Sequence, residues 1–232
     1  MTASHQLVYF IFAIVLALAL VLDLGLLSKK NKTITLTIGK GIYKNLVFDE
    51  KGTQVAFTGD KSPEKSLIKK PQLYYFNFKS DSAKVIVKDD TKGMPDHFSV
   101  SENGKVSFSK NGSRLFFGTA PIPTPKDTTI VDFEVAKLDI WNYKDEELQS
   151  MQLANLSRDL KKSYLAMYDL NHDDTILQLG NEKLPEVEVT EDGIGNYALG
   201  STDFGERIAI QWQGFTLQSA FLISLADGSK IP

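Results

Sequence analysis

The chain contains no cysteine. That excludes disulfides, thiolate zinc sites, iron–sulfur clusters and a cysteine nucleophile. Histidine is scarce. His5, His97 and His172 are the whole supply, which leaves little for a metal site or a general base. Positive charge is not in excess either. Twenty-six Lys and Arg stand against 29 Asp and Glu, a net charge of −3. The basic footprint of a nucleic-acid-binding protein is therefore missing. After residue 27 no apolar run is long enough to cross a bilayer, and no low-complexity segment occurs. What is present is ordinary for a globular protein, with 42% hydrophobic and 24% charged residues. A chain of 232 residues allows one or two domains at roughly 150 residues each.

The first thirty residues differ from the rest. Leu7 to Leu22 is an unbroken apolar run, and it continues through Asp23 to Leu27. As a helix rising about 1.5 Å per residue, Leu7–Leu27 matches a hydrocarbon core of about 30 Å. A buried core helix would keep a polar face, and this stretch has none. A cleaved secretory signal would carry positive charge before the run. Here Lys29, Lys30 and Lys32 follow it instead, which favours a cytoplasmic C-terminal flank. The expectation is a single-pass transmembrane helix with a basic flank over residues 1–32. Asp23 then lies at the interface, or acts as an intramembrane acid. The stretch Phe12–Lys30, FAIVLALALVLDLGLLSKK, resembles the first transmembrane helix of TerC-family integral membrane proteins, in which Leu-Asp-Leu-Gly precedes basic residues. That resemblance implies an alternative identity, a fragment of an ion- or tellurium-resistance membrane protein. One span cannot form a transport path, so the activity does not carry over. A chance fusion of two coding segments near Thr33–Ile38 is a third reading.

From Thr33 the pattern changes to short β-branched and aromatic runs separated by Gly, Asn, Asp and Ser. Strands are expected at Leu46–Phe48, Gln54–Phe57, Leu73–Phe78, Lys84–Val87, Arg114–Phe117, Leu138–Trp141, Tyr164–Tyr168 and Thr175–Leu179. Further strands are expected at Tyr197–Leu199, Ile208–Ile210 and Phe221–Ser224. Glu146–Lys162 permits a short helix or an extended excursion. Pro121, Pro123 and Pro125 mark a stiff loop, since proline donates no hydrogen bond.

A strand–turn–strand unit repeats. Phe48–Phe57 matches Phe108–Phe117, with Gly52 and Gly112 at the same place in the turn. Val189–Gly193 followed by Tyr197–Leu199 is a weaker third copy, with one extra residue before its second strand. Glycine suits such turns because they need a positive φ. Each copy is followed by a second hairpin: Leu73–Val87, Tyr164–Leu179 and Phe221–Ile231. Two hairpins make a four-stranded sheet, and repeated four-stranded sheets are propeller blades. A generic β-sandwich is the competing fold. The expectation is an all-β, incomplete propeller of about three blades over 33–232, with units at roughly 39–90, 104–181 and 185–232. Three blades of a larger ring would leave the first and last sheets open, exposing some of Phe48, Tyr75, Phe117 and Trp141.

Gly39–Asp49, Asn111–Pro121 and above all Leu138-Asp139-Ile140-Trp141-Asn142-Tyr143-Lys144-Asp145, followed by Leu148-Gln149, resemble the N-terminal propeller of bacterial prolyl-oligopeptidase-family serine peptidases. The blades are also similar to the TolB-type repeat. The resemblance spans nearly two hundred residues. It implies a propeller that gates or binds peptide substrate, with a hydrolase domain following it. Such a hydrolase needs a Gly-x-Ser-x-Gly elbow, then an acid, then a histidine. The nearest match, Gly200-Ser201-Thr202-Asp203, lacks the second glycine, and no histidine follows His172. No catalytic residue is therefore assigned, and no peptidase activity is expected of this chain.

Weaker motifs each have a plainer reading. Asp169-Leu170-Asn171-His172-Asp173 opens like a calcium loop, but Asp174 and Gly180 stand where Gly and Glu are required, so a hairpin turn is expected. Gly39-Lys40-Gly41 lacks the remainder of a phosphate loop. Asn31, Asn111 and Asn155 sit in glycosylation triplets that are common by chance. Glu146 and Glu147 are the candidate substrate-binding pair, since a glutamate pair holds a substrate ammonium in dipeptidyl-peptidase relatives. A solvated turn is the alternative. No cofactor and no metal are called for. The expected partners are the membrane, through residues 7–27, and a peptide substrate or hydrolase domain.

Overall fold

The computed structural model describes residues 25–28, 32–125, 127–131, 140, 142–172 and 175–232. Apart from a short hairpin, β1 (Gly25–Ser28) with β2 (Lys32–Thr35), the strands form three antiparallel sheets. The first sheet runs β3 (Ile42–Phe48), β4 (Gln54–Asp60), β5 (Gln72–Asn77) and β6 (Lys84–Val87) in sequence order. The second is centred on β9 (Arg114–Pro121), flanked on one side by β10 (Tyr164–Asp169) and β11 (Ile176–Gln178). On its other side two short strands, β7 (Phe98–Val100) and β8 (Ser107–Phe108), share the role of one first strand. The third sheet is β12 (Glu186–Val189), β13 (Tyr197–Thr202), β14 (Ser219–Ser224) and β15 (Lys230–Ile231), again in sequence order. The described residues are thus mostly β, built of up-and-down antiparallel sheets.

Alternation along the strands explains how the sheets stack. Successive side chains point to opposite faces. On the first sheet, Ala56, Leu73 and Val87 pack against Val100, Leu115, Phe117 and Ala166 of the second. Phe116 and Met167 point the other way and pack against Ala198 and Ile223 of the third. The outer face of the first sheet carries Val55, Phe57, Tyr74 and Phe76, and Leu36 closes it from the N-terminal side. The sheets therefore lie face to face in chain order, with apolar layers between them.

The repeated turns lock this stack at one rim. In the first copy, the Asp49 carboxylate accepts the backbone N–H groups of Thr53 (2.6 Å) and Gln54 (2.7 Å) and the Thr53 hydroxyl (3.0 Å). In the second, the Ser109 hydroxyl accepts the Arg114 N–H at 2.9 Å. The first residue of the following strand then reaches the next turn. Gln54 Nε2 donates to the carbonyl of Gly112 at 3.2 Å. Arg114 Nη1 donates to the carbonyls of Gly193, Ile194 and Gly195, the last at 2.6 Å. The Lys110 N–H also donates to the Asp192 carbonyl at 2.7 Å.

The joint between the first two sheets has a second fastening. β3 bulges between Lys44 and Val47, where Asn45 takes φ 55°. Asparagine tolerates the left-handed region better than most residues. The bulge carries Asn45 Nδ2 to the carbonyls of Glu102 (2.9 Å) and Gly104 (3.0 Å), in the gap between β7 and β8. Lys44 and Glu102 form an ion pair at 2.8 Å beside it.

Several expectations need correction. The expected helix Leu7–Leu27 lies outside the described residues as far as residue 24, but Gly25, Leu26 and Leu27 are extended in β1, so a helix does not reach Leu27. Among the described residues no helix is long and apolar enough to cross a membrane. Ile208–Ile210 is helical, not a strand. It spans a 3₁₀ turn (Arg207–Ala209) and a short helix (Ile210–Gln213) that Gly214 ends at φ 75°. The third copy has two extra turn residues, not one, because Val189 pairs with Ala198 as Phe48 pairs with Val55. Phe117 is fully buried between two sheets, while Phe48 and Tyr75 are half-buried. Trp141, with most of the expected strand Leu138–Trp141, lies outside the described residues. Among the described residues an apolar face is open on the third sheet, where Leu199, Leu222 and Ile231 lie directly across from one another, each about half exposed.

Candidate functional site

The long connection from β9 to β10 contains α1 (Gln149–Asp159), and the turn before that helix holds Glu146 and Glu147. No side chain caps the helix at Leu148. Instead the Asp145 carboxylate accepts the Asn142 N–H at 3.0 Å, and Gln152 Nε2 reaches back to the Glu147 carbonyl at 2.8 Å. These bonds hold both glutamates at the helix N-terminus, where the helix dipole favours negative charge.

The loop after β13 comes to meet them. The Gly205 N–H donates to Glu146 Oε1 at 3.1 Å. Arg207 Nη1 stands 3.6 Å from Glu146 Oε2 and 3.9 Å from Glu147 Oε1. The guanidinium also donates through Nη2 (2.7 Å) and Nε (2.8 Å) to Asp203 Oδ1. All four side chains are only about a quarter to a third exposed. The hydrogen bond from Arg207 holds the Asp203 carboxyl below its usual range, outweighing the opposing effect of burial. The same bond raises Arg207, with further support from Glu146 and Glu147.

Glu146, Glu147 and Arg207 of this cluster line a cleft of about 690 Å³. Pro121, Tyr164, Glu182 and the end of α1 line it as well. Burial raises the Tyr164 hydroxyl above its usual range, and the Glu182 and Asp159 carboxylates add to it. The phenol therefore stays neutral at physiological pH. Asp145, Glu146, Glu147, Asp159 and Glu182 face Arg158, Lys162 and Arg207, five carboxylates against three cations. Among the described residues the lining is acidic overall and holds no histidine. Such a site suits binding a cation through oriented carboxylates.

The two sequence candidates, Glu146 and Glu147, are thus placed together in a cleft wall. Asp203 and Arg207 were not found from sequence. Their only signal is the spacing of an acid and a base four apart on a helical turn, which the strand reading of Ile208–Ile210 hides. The other motifs lie elsewhere. Asp169 Oδ1 accepts the Asn171 N–H at 2.9 Å in the turn after β10. Ser201 is a strand residue paired with Glu186 and Ala220. Gly39-Lys40-Gly41 leads into β3. Among the described residues no group of three His, Asp or Glu is placed to hold a metal ion. A second depression, of about 760 Å³, lies at the rim of repeated turns between Glu50, Lys110 and Asp192.

No protein-family model matches the chain, and no curated protein matches it in sequence. Neither the prolyl-oligopeptidase nor the TerC resemblance is therefore supported at that level. Among solved structures, the chain is similar to the crystal structure of the tricorn protease, with a TM-score of 0.27 and 10% identity. The likeness covers 88% of this chain and 22% of that one, so the chain spans about a fifth of that structure's length.

Proposed function

We propose that this chain is a non-catalytic peptide-binding module, a propeller portion of the kind found in prolyl-oligopeptidase-like serine peptidases. The convergence of Glu146, Glu147 and Asp203 on Arg207, with both glutamates and the arginine lining an acidic cleft, carries this reading. Arg207 spreads one positive charge over three carboxylates, so the cluster keeps a net charge of about −2. A peptide's free amino terminus is a compact cation with three donors, and it suits carboxylate oxygens already oriented by Arg207 and the Gly205 N–H. The stacked sheets with their repeated seam support the propeller reading. Membrane attachment through the apolar run that begins at Leu7 and stops short of β1 belongs to the same proposal.

Calorimetric titration tests it with one short peptide in two forms, free and N-acetylated. The free form binds, and acetylation weakens it by roughly 10- to 100-fold, the equivalent of about 1.5–3 kcal/mol for a charge-assisted hydrogen bond. The E146Q/E147Q double variant loses the same discrimination. Equal binding of both peptide forms overturns the reading.

A further inference from the structure

The sequence contains two Asn-Gly pairs, Asn103-Gly104 and Asn111-Gly112. In such a pair the glycine amide nitrogen can attack the asparagine side-chain carbonyl carbon, because no side chain on the glycine shields it. Both asparagines are exposed and both glycines buried, but the two pairs differ in their hydrogen bonds. Asn111 Oδ1 accepts the Ser109 hydroxyl (2.7 Å), the Ser113 hydroxyl (2.8 Å) and the Ser113 N–H (3.1 Å). The Gly112 N–H is also engaged, donating to the Ser109 carbonyl at 2.8 Å. Asn103 is exposed, and among the described residues its side chain makes no hydrogen bond. The Gly104 N–H has no acceptor among the described residues either.

We propose that Asn103 is a site of spontaneous deamidation that loosens the joint between the first and second sheets. The step balances without an oxidant or a co-reactant other than water. The Gly104 nitrogen gives its proton to solvent base and bonds to Asn103 Cγ. The Cγ–Nδ2 bond breaks, and Nδ2 leaves as ammonia after taking a proton. Water then opens the cyclic imide at either carbonyl, giving aspartate or isoaspartate.

The position of the site decides the consequence. Asn45 Nδ2 holds the carbonyls of Glu102 and Gly104 together, one on each side of residue 103. Isoaspartate adds a methylene to the main chain between those carbonyls, so one amide group no longer spans both. Gly104 has no room to absorb the change, since even a Cβ there would lie 2.4 Å from Gly118 Cα. Either product also adds a carboxylate next to Glu102, the partner of Lys44.

The test uses the intact chain, incubated at mildly alkaline pH and physiological temperature and followed by peptide mapping. Asn103 converts about tenfold faster than Asn111 or more, the rate equivalent of one hydrogen bond broken before reaction. Equal rates, or faster loss at Asn111, overturn the assignment. Asn103→Asp supplies the charge without the added methylene. The aged wild-type protein, once rich in isoaspartate at 103, melts below the Asn103→Asp variant. An aged protein that melts with the fresh one overturns the proposed effect on the joint. Asn103→Gln stays unmodified over the same period and keeps its melting temperature; a parallel loss in that variant also overturns it.

Discussion

Gly104 and Gly118 touch backbone to backbone where the split first strand of the second sheet crosses β9. A Cβ on Gly104 would stand 2.4 Å from Gly118 Cα, and one on Gly118 would stand 2.6 Å from Gly104 Cα. Neither contact can be relieved by a side-chain rotation. Gly104→Ala and Gly118→Ala are each expected to cost about 1–3 kcal/mol, the usual range for overpacking, or more. Gly52→Ala is the comparison. It meets no neighbour within 4 Å and is burdened only by its φ of 65°, so about 1 kcal/mol is expected. Urea unfolding of the three variants checks the order; a Gly104→Ala variant as stable as wild type would contradict it.

Asp49 makes the first turn sensitive to acid. Burial pushes its carboxyl up, but the N–H groups of Gln54 and Thr53 and the Thr53 hydroxyl outweigh that and hold it below the usual value. A depressed folded-state pKa means that the carboxylate stabilises the fold above the unfolded value of about 3.9. That contribution is lost as the pH falls through the lower folded-state value. Asp49→Ala should lower stability at neutral pH by about 1–3 kcal/mol, the cost of leaving its donors unpaired, and flatten the acid limb of the stability curve. Asp49→Ser should recover part of the loss, since Ser109 fills the same place in the second copy. Thermal melts at neutral pH and in the acid range measure both effects.

The third sheet should make the chain associate. Leu199, Leu222 and Ile231 form an apolar row across three strands, each about half exposed among the described residues. Apolar surface is worth about 25 cal/mol per Å², so covering such a row favours self-association. Sedimentation velocity should show mass rising with concentration. Leu222→Lys, on the exposed side of β14, should shift the chain toward monomer without a large loss of stability. A wild-type chain that stays monomeric at high concentration would remove the basis for this expectation.

Membrane attachment through the N-terminal run has a direct check. Deleting Met1–Lys30 should move the chain from the membrane fraction to the supernatant, because no second apolar run of spanning length follows. A truncated chain that still pellets after a high-salt wash would exclude a single anchor.

How much could be read in advance depended on whether the cause was local. The hairpins at Leu73–Val87 and Tyr164–Leu179 were legible because period-two alternation and turn residues act within a few positions. The Gly52 and Gly112 turns were legible for the same reason, and both glycines have positive φ. Ile208–Ile210 misled because β-branched residues suggest a strand. The ends settle it: Asp203 pairs with Arg207 across one helical turn, and Gly214 supplies a left-handed stop. Glu146 and Glu147 could be singled out as neighbours, but the Arg207 that orients them comes from a different sheet. Local pattern carries no record of that contact. Neither does it reveal that Phe117 lies between two sheets, since alternation assigns a face without saying what covers it.

The rim seam has a direction. Tyr75 donates its hydroxyl to Gln54 Oε1 at 2.7 Å, which turns the Gln54 amide so that its nitrogen faces Gly112. At each described joint the donor side chain belongs to the earlier sheet and the accepting turn to the later one. A ribosome delivers the chain in that same order, and N-terminal units fold first. In that order each donor side chain is made before the turn that receives it. Assembly in the order of synthesis completes one clasp per new sheet, so a growing chain meets its correct neighbour before any later sheet exists to compete for the same place.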